Sequence, residues 1–274
     1  MDYQQQVNAA ADYLRTRGIA APEAGIILGT GLGNLATEIV PEIEVLYSDI
    51  PHFPEATVEF HAGKLIYGTL AGRKVLAFKG RFHFYEGYTM QQITLPVRVM
   101  KLLGVKWLFI SNAAGGMNTA LKKGDLMLID DHINLQPGNP LIGPNVEAWG
   151  PRFPDMSRPY SPVMNALLKQ AASEQQLPLR EGVYVSVPGP NLETRAEYRF
   201  LHRIGADAVG MSTVPEVIVA NHMSLPCAAV SVITDECDPD NLQPVNIAEI
   251  IEVAGKAELK LTALFKRAVE LLPQ

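Results

Sequence analysis

Apolar residues first recur as Val7, Ala10, Ala11 and Leu14, the spacing of one helical face, and Gly18 is a stop signal. That spacing predicts a helix ending before residue 18. The period then changes. Residues 24–28 form a continuous apolar run, read as a buried strand, which enters Gly29-Thr30-Gly31-Leu32-Gly33 and a short helix. Residues 64–70 and 74–79 read as two strands of a hairpin joined by Ala71-Gly72-Arg73. Residues 90–103 are helical in pattern, with Pro96 expected to kink or shorten them. Residues 105–111 and 126–130 are further strands, the first followed by a small-residue loop, Asn112-Ala113-Ala114-Gly115-Gly116.

Residues 135–162 hold seven prolines and predict a long ordered loop. Beyond it, helical patterns at 164–176, 193–203 and 214–223 alternate with strand patterns at 182–187, 207–210 and 227–233. Asn246 opens a last helix, with Glu249 placed as its capping-box partner. The apolar stripe of that helix is Ile247, Ile250, Ile251, Ala254, Ala257, Leu261 and Leu264. Strands alternating with helices predict an α/β fold around a largely buried sheet. No composition shift divides the chain, so residues 1–274 are expected to form a single domain.

Composition narrows the function classes. The formal net charge is −6, which does not steer a protein onto nucleic acid or an anionic membrane. The N-terminal segment has no apolar signal-peptide core, and no apolar run reaches membrane-spanning length. Cys227 and Cys237 fit neither a paired redox motif nor a zinc spacing. A cytoplasmic location is expected.

Three segments carry candidate chemistry. The 29–33 glycine run exposes backbone N–H groups at a strand end, with the Thr30 hydroxyl as a further donor for a small anion. From Gly31 the run also fits a loose G-x-G-x-x-A dinucleotide pattern through Ala36, but the acid expected about 20 residues later is poorly placed. In Gly80-Arg81-Phe82-His83-Phe84-Tyr85-Glu86-Gly87 a guanidinium and an imidazole sit two residues apart, suited to clamping phosphate. The 112–116 segment repeats the open strand end of the first. A metal is not expected. Asp130, Asp131 and His132 alternate faces along a strand, and residues 235–240 lack the turn glycine and terminal glutamate of a calcium loop.

Taken in order, these pieces resemble the trimeric purine nucleoside phosphorylase and methylthioadenosine phosphorylase family. The matching set is completed by His61-Ala62-Gly63, Asp131-His132-Ile133-Asn134, Gly189-Pro190-Asn191-Leu192-Glu193-Thr194 and Gly210-Met211-Ser212-Thr213-Val214-Pro215-Glu216. The resemblance implies a mixed, partly barrel-like sheet flanked by helices. It implies that Thr30, Arg81, His83, the Ala113 backbone N–H and Ser212 hold phosphate. Tyr85, Met211 and Tyr184 would line the ribose, Glu193 and Asp235 would read the purine, and His61 would lie on a mobile loop. His83, Glu193 and Asp235 are the implied catalytic residues. Phe153 would reach a neighbouring subunit's ribose site in a homotrimer. Inorganic phosphate would be a co-substrate, with no cofactor, and the partners would be purine nucleosides, not nucleic acid or membrane.

Two positions depart from the family pattern. Members that prefer 6-oxopurines carry asparagine where this chain has Asp235, which resembles the methylthioadenosine enzymes. Near the ribose 5′ end, where the nucleoside phosphorylases often carry histidine, this chain has Ile247. Glu193 resembles the 6-oxopurine enzymes. The expected activity is purine nucleoside phosphorolysis favouring inosine and guanosine, with methylthioadenosine or adenosine phosphorolysis as the alternative. A non-enzymatic anion-binding protein is the reading from another class.

Overall fold

The computed structural model describes residues 1–29, 32–55, 63–244 and 246–273. Helix α1 (Tyr3–Thr16) buries Val7, Ala10, Ala11 and Leu14, the stripe read from the sequence. Asp2 and Gln5 form its capping box, and Gly18 leaves it at φ +92°. Strand β1 (Ala24–Leu28) is buried throughout, and a 3-10 turn at Asn34–Glu38 follows. Strand β2 (Val40–Leu46) has no counterpart among the sequence expectations. Only its Val45 is buried, so an edge strand of mostly exposed residues leaves no apolar alternation.

Strands β3 (Lys64–Leu70) and β4 (Arg73–Lys79) form the expected hairpin through Ala71 and Gly72. Both turn residues have positive φ, as a two-residue turn matched to strand twist requires. Helix α2 (Met90–Leu102) runs on through Pro96, so the proline does not shorten it.

Strand β5 (Trp107–Gly116) corrects a second expectation. Residues 112–116 are strand, not loop. They pair in parallel with β9 (Cys227–Glu236), and Gly115 and Gly116 pair antiparallel with β8 (Ala208–Gly210). Small residues are needed there because strands converge: a Cβ on Gly115 would lie 2.5 Å from the Cys237 sulfur. Strand β6 (Leu126–Asn134) is likewise longer than expected, continuing past a register shift between Ile129 and Asp131.

The proline-rich segment is irregular up to helix α3 (Pro162–Glu174). Strand β7 (Leu179–Ser186), helix α4 (Arg195–Arg203), helix α5 (Val214–His222) and helix α6 (Ile247–Glu270) complete the order. Glu193 lies before α4, which is capped by Thr194 and Glu197. The capping box expected on α6 is not made. Asn246 caps it by accepting the Ala248 and Glu249 N–H groups, while the Glu249 carboxylate pairs with Lys123.

One nine-stranded sheet runs β2-β3-β4-β1-β5-β8-β7-β6-β9, and β9 pairs back onto β5. The last five strands therefore close on themselves, the partly barrel-like geometry the resemblance implied. Helices α1, α2 and α5 pack on one apolar core, and α3 and α6 on a second. Among the described residues no helix is long and apolar enough to cross a membrane.

Candidate active site

The carboxyl ends of β5, β8 and β9 open into a cavity of about 360 Å³. Ligands of open α/β sheets gather at such strand ends. Its walls include Arg81, His83, Tyr85, Ala113, Met211, Ser212 and Asp235, so seven of the proposed site residues meet in one place. Thr30 and His61 lie outside the described residues. Gly29 follows β1, and its missing Cβ leaves room for Asn112 Cα, 2.8 Å from where it would stand. Asn34 donates its N–H to the buried Glu258 carboxylate of α6.

Arg81 follows β4 and is 3% exposed. Its guanidinium donates to Ser111 O at 2.8 Å and to Ser212 Oγ at 3.1 Å, and Nε donates to Glu216 Oε1 at 3.2 Å. Glu216, in the first turn of α5, is itself 3% exposed. A buried carboxylate thus fixes the plane of the guanidinium before any ligand arrives. In the sequence Glu216 is marked only as the last residue of the run from Gly210.

His83 sits on the same wall. Its Nδ1 is 2.8 Å from Glu86 Oε1, and its ring stacks on Tyr85 with centroids 4.7 Å apart. Burial pushes the imidazole below its ordinary range; the bond to Glu86 opposes this and the Arg81 charge adds to it. Burial also pushes the Tyr85 phenol up to about 12, so both groups meet a ligand uncharged near neutrality.

The Ser212-Thr213 corner carries backbone strain. Thr213 has φ 69° and ψ −54°, with Val214 N–H donating to Ser212 O at 2.7 Å. That is a γ-turn in a sparsely populated region, costing on the order of 1–3 kcal/mol. It is held by Asn112 Nδ2 donating to Thr213 Oγ1 at 2.9 Å. The strain aims Ser212 at Arg81 and starts α5 beside the cavity. Met211 is seated by Gly189 (φ +63°), where a Cβ would fall 2.3 Å from the Met211 sulfur.

Three of the expected site residues, Tyr184, Glu193 and Phe153, stand off the cavity wall. Tyr184 is fully buried and does not line the cavity; its hydroxyl accepts the Ser212 N–H at 3.3 Å, so it supports the site from below. Glu193 is not a wall of the cavity, although Leu192 is. Burial raises the Glu193 carboxyl above the usual carboxylate range; Tyr198 lowers it and the nearby Asp235 charge raises it further. The first turn of α6 lines the cavity through Ile247, Ile250 and Ile251, so the apolar stripe of that helix is not all core. Phe153 is 88% exposed, away from this cavity, beside a shallower one lined by His132, Ile142 and Arg152.

A larger cavity of about 510 Å³ lies between α1, α2 and the proline-rich segment. There the Arg98 guanidinium stands 4.4 Å over the Trp149 ring and 3.3 Å from His222. The cation's partners there are aromatic faces and an imidazole, whereas the strand-end cavity gathers donors, a carboxylate and an apolar wall. Among the described residues no group of three or more potential metal ligands occurs.

Comparison with known proteins agrees with this geometry. Residues 23–270 match the family model of the phosphorylase superfamily. A purine nucleoside phosphorylase 1 from Bacillus subtilis is 49% identical over 96% of this chain and 97% of its own length. Crystal structures of the Schistosoma mansoni purine nucleoside phosphorylase with adenosine and with inosine each superpose with a TM-score of 0.92 at 42% identity. Both cover 98% of this chain, and 98% and 97% of their own. The chain belongs to the phosphorylase superfamily and, within it, to the purine nucleoside phosphorylase family.

Proposed function

We propose that this chain catalyses the reversible phosphorolysis of purine nucleosides, yielding free base and ribose 1-phosphate. The observation that carries it is the meeting, in one cavity, of an anion clamp and a carboxyl group across an apolar wall. Arg81, His83, Ser212 and the Ala113 backbone N–H hold phosphate, with Thr30 as a further donor. Tyr85 and Met211 take the ribose. Asp235 and Glu193 address the purine, Glu193 from behind Leu192, with a small shift of that segment needed for contact.

The chemistry follows from charge. A phosphate oxygen bonds to C1′ as the C1′–N9 bond breaks; positive charge grows on the ribose and negative charge on the leaving base. Phosphate held beside C1′ stabilises the first. Protonation of purine N7 beside Asp235 neutralises the second, and the proton lost by phosphate on esterification balances it. Positioning supplies most of the rest. Phosphate is a co-substrate, and no resident cofactor or metal enters the scheme.

Glu193 as acceptor of the purine N1–H favours 6-oxopurines. The second reading, acceptance of adenosine or methylthioadenosine, is supported by the apolar wall of Ile247, Ile250 and Ile251 and by Asp235 as an acceptor for a 6-amino group. Phe153 is read as completing a neighbour's ribose site in a homotrimer. Two buried unpaired cysteines are compatible with the cytoplasm as the working compartment. A phosphate-dependent assay over inosine, guanosine, adenosine and methylthioadenosine tests the reading. Turnover of the first two above the others is expected; turnover of none overturns it.

A further inference from the structure

Asp235 is held at both oxygens by its neighbours in the chain, Thr234 within β9 and Cys237 just beyond it. The Thr234 hydroxyl donates to Oδ1 at 2.9 Å, and the Cys237 thiol donates to Oδ2 at 3.1 Å. Cys237 is 1% exposed, and its backbone N–H is fixed by Gly116 O at 2.8 Å. Gly115 makes the arrangement possible, since a Cβ there would stand 2.5 Å from the thiol sulfur and 3.2 Å from Asp235 Oδ2. The Tyr198 hydroxyl of α4 influences both the thiol and the Glu193 carboxyl. Burial and the Asp235 charge keep the thiol protonated, so it remains a donor.

The two classes of purine ask opposite things of those carboxyls. A 6-oxopurine offers an N1–H and acceptors at O6 and N7, so it needs Glu193 as acceptor and Asp235 as donor. A 6-aminopurine offers an acceptor at N1 and a donor at N6, so it needs the reverse. Donors placed on both oxygens of Asp235 leave it to meet the cavity as an acceptor. We propose that Cys237 is a specificity-determining positioning residue, whose thiol holds Asp235 as an acceptor and thereby keeps 6-aminopurine nucleosides as substrates beside 6-oxopurine ones. The inference rests on the phosphorolysis reading above.

The test is kcat/KM for inosine and adenosine at saturating phosphate in the wild type, Cys237→Ala and Cys237→Ser. Alanine removes the donor and serine restores one. Cys237→Ala is expected to raise the inosine-to-adenosine ratio about fivefold, the effect of one lost hydrogen bond, while Cys237→Ser stays within about twofold of wild type. An unmoved ratio in Cys237→Ala, or equal shifts in both variants, overturns the inference. Wild type active on inosine but not adenosine also overturns it while leaving the reaction intact; no turnover of either nucleoside overturns the reaction itself. If the alanine variant does not fold, Cys237→Val fills the volume without a donor and reads the same ratio.

Discussion

A guanidinium is useful to an anion only if it is already in place, and Glu216 is what places Arg81. Each side chain is almost wholly buried, so removing one leaves the other charge in a low-dielectric site. Glu216→Ala is therefore expected to destabilise the fold by about 3–5 kcal/mol, read in urea denaturation, and to raise the KM for phosphate. Wild-type stability with an unchanged phosphate KM would contradict that role. At the base, Asp235→Asn converts an acid into an amide that donates to N7 in every molecule. It is expected to raise the inosine-to-adenosine ratio of kcat/KM about tenfold; an unchanged ratio in steady-state kinetics refutes the role given to Asp235. Arg81, His83 and Ser212 were legible because glycine-flanked motifs mark strand ends. Cys237 was not, because its partner is set by how the chain leaves β9, and no spacing of cysteines announces a thiol that serves a carboxylate.

Elements were legible where their burial was one-sided. The α1 stripe and the β3–β4 hairpin declare themselves through period and turn residues. Helix α6 shows the limit: periodicity says which residues share a face, not whether that face meets core or cavity. Ala254, Ala257, Leu261 and Leu264 are core, while Ile247 is 57% exposed at the cavity mouth. The 112–116 run read as loop because its residues are small, yet they are small because β8 and β9 crowd both sides of β5. Helix α4 sets where Glu193 stands. Its N-cap Thr194 accepts the Glu197 N–H at 3.3 Å, and Glu197 returns a bond to the Thr194 N–H at 2.7 Å. Thr194→Ala is expected to cost about 1 kcal/mol in denaturation midpoint measurements and to raise the nucleoside KM more than the phosphate KM. Equal effects on both KM values would contradict that placement.

At the scale of the molecule, burial holds three histidines, His83, His132 and His222, below their ordinary range. The unfolded chain binds protons more readily at these positions, so stability is present above the free imidazole value of about 6.5 and is lost as pH falls below it. Glu193 and Glu258, raised by burial, act in the opposite sense as pH rises through the carboxylate range. Tm is expected to fall between pH 7.5 and 5.5, followed by calorimetry; a flat or rising profile would show that the histidines do not dominate. The exposed Phe153 and Ile142 leave an apolar surface beside the proline-rich segment. In a homotrimer of 29.9 kDa chains, light scattering is expected to give about 90 kDa, and Phe153→Ala to raise the nucleoside KM. A monomer of full activity would contradict both.

The most direct measurement follows phosphorus, not the base. With inosine and inorganic phosphate, 31P NMR should show the phosphate signal decline as a ribose 1-phosphate ester signal grows in equal amount with hypoxanthine. Arg81→Ala should slow both together. Hypoxanthine released at the same rate without phosphate, or with no ester formed, would mean that water attacks C1′ and that the strand-end cavity is not a phosphorolytic site.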